Sequence, residues 1–219
     1  MTQDHEPYQP TLGVTDDLAG TLEALPLTFG ELPTSAMDDL DVTVVGLSVR
    51  VATHEVSTTR DGREIVDDRD QLVMDLRVNN WEEAGLQDQY VGQRFNLRPA
   101  ITKADGSVTR GKPVQSSGWG GWLAALEQFG ISGEPKMAEH YQLTAQTDLI
   151  GLHFQRKGEQ RKIEGRDGAA DSTYTSYLPA EIYGWDNDVR TETGLAPIVP
   201  DPENEGRFVK GEGASRSRR

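Results

Sequence analysis

The chain has 219 residues, with 36 acidic against 22 basic side chains and a formal charge of −14. That balance excludes a protein that coats duplex DNA by bulk positive charge, and the absence of cysteine excludes disulfides, thiolate zinc sites and cysteine nucleophiles. No apolar run is long enough to span a bilayer, and residues 1–7 offer neither the basic nor the apolar region of a secretory signal, so the expectation is a protein of the cell interior without a membrane partner.

Residues 1–41 hold nine acids and no Lys or Arg, and Pro7, Pro10, Pro26 and Pro33 break any long helix. They read as an irregular acidic arm that either solvates the protein or competes for a basic groove. A first strand follows at 42–51, with Leu47, Val49 and Val51 on one face. The parity of its apolar residues changes at Gly46, which predicts a bulge there. Residues 58–63 form a polar loop with an Asp-Gly turn.

The second strand, 71–78, turns Leu72, Met74, Leu76 and Val78 inward and Asp75 and Arg77 outward. Trp81 falls in the turn after it. The third strand, 90–98, points Phe95 and Leu97 inward and Arg94, Asn96 and Arg98 outward, and a hairpin extends through Lys103 to Val108 and Arg110. Between Ser116 and Gly130 the spacing changes to helical. Trp119, Trp122, Leu123, Leu126 and Phe129 make one apolar stripe, read as core, and Gly130 ends the helix in a left-handed conformation. A fourth strand is expected at 149–155, a basic turn at 156–162 and a fifth strand at 173–183. From Gly184 the apolar periodicity is lost among prolines and glycines, so residues 186–219 read as a polar tail. The division is therefore an arm at 1–41, a β domain at 42–185 and a tail at 186–219.

Catalytic signals are weak. His5, His54, His140 and His153 show no metal-ligand spacing. Asp67, Asp68 and Asp70 carry a remote nuclease reading, but a loop interrupted by Arg69 is ordinarily just solvated. The glycines at 118, 120 and 121 match neither a nucleophile elbow nor a dinucleotide fingerprint. Neither catalysis nor a cofactor is expected. Outward-facing cations near rings form the better constellation: Arg50, Arg77, Arg94 and Arg98 on the first three strands, Lys103, Arg110 and Lys112 in the hairpin, and Arg156, Lys157, Arg161 and Lys162 at the end of the fourth strand. Trp81, Tyr90, Tyr174 and Tyr177 are candidate stacking surfaces. Cations tracking phosphates and flat rings receiving bases are what a single strand needs, while Arg alternating with apolar residues is also the ordinary solvent face of a strand.

Three strands, a helix and two strands is the order of an OB-fold, so the expected class is all-β with one packed helix, a five-stranded Greek-key barrel with terminal arms. Residues 71–78 (QLVMDLRV), 90–94 (YVGQR), 118–126 (GWGGWLAAL) and 177–182 (YLPAEI) resemble segments of phage-encoded single-stranded-DNA-binding proteins. The resemblance implies a non-catalytic, cofactor-free protein that shields single strands during DNA replication or recombination in the host cytoplasm. Its partners would be single-stranded DNA, replication or recombination proteins and other copies of itself. Such proteins often finish in an acidic tail, whereas this chain ends Arg216-Ser217-Arg218-Arg219. The alternative is a structural or adaptor protein of a phage particle, located in the virion, whose arms tie neighbouring subunits together.

Overall fold

Alternation and turn chemistry produce a chain built mainly of strands. The computed structural model describes residues 9–14, 40–50, 55–58, 64–67, 70–86, 89–97, 100–102, 104–106, 108–110, 113, 117–163 and 172–211. In chain order these form β1 (Gly13–Val14), β2 (Leu40–Arg50), β3 (Glu55–Thr58), β4 (Glu64–Asp67), β5 (Gln71–Val78), β6 (Tyr90–Asn96), β7 (Ala100–Thr102) and β8 (Val108–Arg110). There follow α1 (Gly118–Glu127), β9 (Ile131–Ser132), β10 (Tyr141–Gln142), a 3-10 turn (Gln146–Leu149), β11 (Leu152–Ile163), β12 (Ser172–Trp185), α2 (Asn187–Glu192), β13 (Ile198–Pro200) and β14 (Phe208–Lys210).

The main sheet runs β12-β11-β2-β5-β6, with all these neighbours antiparallel, and β1 lies parallel to β2. Side chains follow the alternation expected of β5: Leu72, Met74, Leu76 and Val78 are fully buried. The parity change at Gly46 is a bulge, for the β2–β5 register slips between Val44 and Gly46. Among the described residues no ladder joins the edge strands β6 and β12, so the closed barrel expected from the sequence is not seen. A side-chain bond crosses that seam, Gln93 Nε2 donating to the Tyr177 carbonyl at 2.7 Å, and α1 packs against both edge strands.

The helix starts where Ser117 caps it by accepting from the Gly120 N–H at 3.1 Å. It stops before Gly130, whose φ of 64° is the left-handed conformation expected there. Trp119 and Trp122 stack at 5.4 Å, with Phe95 and the edge of Phe154 against them. Trp122, Leu123 and Leu126 are buried in the main core, while Phe129, the last residue of the expected stripe, stays partly exposed.

Three sequence expectations are corrected. The basic turn at 156–162 is strand: β11 pairs with β12 from Leu152 to Ile163 and, among the described residues, with β2 from His153 to Arg156, so its distal half and its partner run on as a ribbon past Leu40. The polar tail is folded as far as Gly211. Arg190 of α2 is 1% exposed and donates to three carbonyls, those of Ala196, Thr147 and Ile150. Trp185 binds the Asp148 carbonyl through Nε1 and packs on Tyr141 and Phe208. Finally, part of the N-terminal arm is built into the sheet as β1, with Gly13 and Val14 opposite Gly46 and Leu47.

Gly46 is required by that last contact. A Cβ there would sit 1.5 Å from the Thr11 carbonyl oxygen and 3.2 Å from the Asp75 carboxylate. Gly46→Ala is therefore expected to push residues 9–14 off the sheet, at a cost of about 1–3 kcal/mol. Urea denaturation reads the loss, and limited proteolysis reads the released segment; unchanged stability with an equally protected N-terminus would contradict the contact.

Candidate nucleic-acid interface

The outward side chains of β2, β5 and β6 form rows set by the ladder. At one end of the sheet lie Arg50, Gln71 and Asn96, the last two joined by a side-chain hydrogen bond at 3.2 Å. Next come Ser48, Val73 and Arg94, then Gly46, Asp75 and Gly92, and near the other end Thr43, Arg77 and Tyr90. Arg50 and Arg94 are exposed. Tyr90 is half-buried against the core, and so is Trp81, in the turn after β5.

Asp75 faces outward, as expected, but it is not in solvent. The segment 9–14 passes over it, and the Thr11 N–H donates to its Oδ2 at 3.0 Å, leaving Asp75 1% exposed. The middle of this face therefore holds a covered carboxylate with a strap of backbone above it. Exposed Arg50 and Arg94 lie on one side of the strap and Arg77 on the other.

Arg77 is tied down. Its Nη2 pairs with Asp186 Oδ2 at 2.5 Å and its Nε donates to Asn79 Oδ1 at 3.1 Å. Asp186 in turn caps α2, accepting from the N–H groups of Asp188 and Val189. Partial burial pushes the Asp186 carboxyl up, but the Val189 N–H and the Arg77 guanidinium outweigh it and hold the group below its ordinary value. Its contribution to stability is thus complete above the ordinary carboxylate range and lost as pH falls through the depressed value. Beside this pair, His153 bonds Asp41 across β11 and β2, and its ring packs on Tyr183 at 4.9 Å.

Arg156 corrects the reading of the fourth strand's cations as outward-facing. It lies in phase with buried Leu152 and Phe154 and is 6% exposed, its guanidinium 4.4 Å from the centre of the Tyr177 ring. Burial holds it below its ordinary pKa, with Tyr177 opposing. Lys157, the next residue, is exposed. Arg161 and Lys162 belong to the ribbon part of β11, and Arg110 to β8. Arg98, Lys103 and Lys112 lie outside the described residues, as does Asp68 of the acid triplet. Among the described residues no three His, Asp or Glu side chains gather as a metal site, and no helix is long and apolar enough to cross a membrane.

The ladder separates the cations into two groups. The β3–β4 and β7–β8 ribbons leave the sheet where β2 and β6 end, beside Arg50 and Asn96. The β11–β12 ribbon leaves at Leu40, which pairs with Arg156, so the groups are separated by the length of β2, roughly 30 Å of strand. Gln93 was not singled out in the sequence, although it lies in phase with Phe95 and Leu97 and its inward position follows from theirs. Comparison with protein-family models, with curated proteins and with solved structures finds no match.

Proposed function

We propose that this chain is a non-catalytic single-stranded-DNA-binding protein on an OB-type Greek-key framework, acting in DNA replication or recombination of the phage type. The supporting observation is the strand order. β2, β5 and β6 follow one another as neighbours, and β11 returns after α1 to lie on the side of β2 away from β5, an order that supports a Greek-key reading. β12 then takes the fifth place, facing β6 across the seam bridged by Gln93 and α1. Fold alone never secures a function, and the reading draws also on the chemistry of the face.

In OB-folds oligonucleotides lie on the second and third strands, between the loop joining the first two strands and the loop joining the last two. Here the corresponding elements are β5 with β6, the β3–β4 ribbon, and the β11–β12 ribbon. Arg50 and Arg94 supply exposed charge beside the first ribbon, and Lys157, Arg161 and Lys162 lie along β11 in the second. A path between them is long enough for several nucleotides, with Tyr90 and Trp81 as rings beside it. Host cytoplasm is the compartment this reading implies, and replication or recombination proteins and further copies of the chain are its partners. The phage-particle adaptor draws on free terminal arms; residues 9–14 and 186–211 lie against the body and give it less support.

The charge-reversed double variant Arg50→Glu/Arg94→Glu tests the reading, because both side chains are exposed and outside the core. Its affinity for a labelled oligo(dT) is expected to fall about tenfold or more at low salt. The slope of log K against log salt should shrink by about two, with the melting temperature unchanged. Unaltered binding would remove the face from consideration.

A further inference from the structure

The guanidinium of Arg156 is buried, and no described carboxylate pairs with it. Among the described residues its Nε has no hydrogen-bond partner; its contact is the face of the Tyr177 ring. Gln93 reaches the same residue: it spends its Nε2 on the Tyr177 carbonyl and leaves Oε1 buried and without a donor. Three strands, β6, β11 and β12, thus meet at Tyr177, whose ring carries a guanidinium with an unpaired Nε and whose carbonyl holds a glutamine with an unpaired acceptor. That place is the seam where side chains and α1, and no backbone ladder, hold the sheet edges together.

A folded chain seldom keeps such an arrangement for stability, since a buried cation without a partner is unfavourable and an apolar residue of the same size would pack better. A guanidinium held flat against an aromatic ring is, however, preorganised for an oxyanion, because its N–H groups already lie in the plane in which two acceptor oxygens are received.

We propose that Arg156, positioned by the Tyr177 ring, is an oxyanion site that takes one phosphate group. The phosphate oxygens accept from the guanidinium. Phosphate is favoured as the anion because β11 continues directly into Lys157, Arg161 and Lys162, a run suited to a polyanion. Resting on the function proposed above, the phosphate is a phosphodiester of the bound strand, gripped where the β11–β12 ribbon leaves the sheet. Free phosphate offers the same chemistry, and the two sources are separated by experiment.

The test uses the full chain, Arg156→Met and Arg156→Lys. In the first arm, inorganic phosphate is titrated at constant ionic strength against chloride and thermal unfolding is followed. The wild type should be stabilised saturably, and both variants should lose most of that response, Lys because it keeps the charge without the planar fork. Without ligand, Arg156→Met should melt at or above the wild-type temperature. In the second arm, oligo(dT) binding by Arg156→Met should weaken about tenfold and the salt slope should fall by about one. If Arg156→Met melts lower and phosphate acts equally on all three proteins, Arg156 is only packing on Tyr177 and the proposal is overturned, whatever the oligonucleotide does. A phosphate response dependent on Arg156 with no oligo(dT) binding by the wild type would keep the oxyanion site, assign it to free phosphate, and discard the single-strand reading.

Discussion

A chain ended after Trp185 is expected not to fold, although its lost residues look like a polar tail. Deleting them removes three buried groups, Val189, Arg190 and Ile198, and the Phe208 ring that covers Trp185. Arg190 is the centre of this region. It is the donor for the carbonyls of Thr147, Ile150 and Ala196, and it fixes the path of the 3-10 turn that leads into β11. Gly151 stands against it: a Cβ there would lie 2.7 Å from Arg190 Cγ, and the backbone turns at a φ of 84°. Behind it, Asp148 is fully buried, accepts from Thr144 and Ala145, and pairs with Lys210 of β14 at 2.7 Å. Truncation takes the Arg190 donors from the Thr147 and Ile150 carbonyls, and the Ile150 carbonyl left unpaired costs about 1–3 kcal/mol; with the lost apolar burial this is a large part of the roughly 5–15 kcal/mol that holds a domain together. Arg190→Leu, which deletes only the donors, should reproduce much of the effect. Far-UV circular dichroism and urea denaturation measure both, and a truncated protein melting cooperatively within a few degrees of the full chain would refute the assignment.

Trp122→Ala should be the most damaging substitution in the helix, at about 3–5 kcal/mol. The side chain is fully buried, stacked on Trp119 with an interplanar angle of 11° and met edge-on by Phe154. Because α1 joins β6 to β12, the void would open where the sheet lacks a ladder, and both edges would lose their support. Trp122→Phe should be much milder. The indole Nε1 is buried with no hydrogen-bond partner among the described residues, so the smaller ring gives up contacts but also relieves an unpaired donor. Equal losses for the two variants, or a loss below about 1 kcal/mol for alanine, would contradict this account of the core.

The elements legible in the sequence were those whose own side chains sort them into faces. β5 alternates cleanly, α1 carries its stripe between a serine cap and a left-handed glycine, and the bulge at Gly46 shows as a parity slip. What escaped the sequence is stabilised from a distance. β1, β13 and β14 are two or three residues long and α2 only six, too short for any period to register. The outer half of β11 is strand because β12 lies beside it. Arg156 was misjudged by its charge: its phase with Leu152 and Phe154 directed it inward, and the type of residue suggested the opposite. Nor does the local sequence of Asp75 reveal the strap above it, since Thr11 comes from 64 residues away.

These features converge on one face, crossed by residues 9–14 and bounded at one end by Lys157, Arg161 and Lys162 of the β11–β12 ribbon and at the other by Arg50 and Arg94. Equilibrium binding of the wild-type chain to oligo(dT) and to a duplex of equal length, followed by tryptophan fluorescence from low to physiological salt, addresses that face as a whole. The expected result is saturable binding of the single strand, weaker binding of the duplex, and an affinity that drops steeply and linearly in log salt. No fluorescence change and no complex with the single strand at low salt would mean that the face serves something other than nucleic acid.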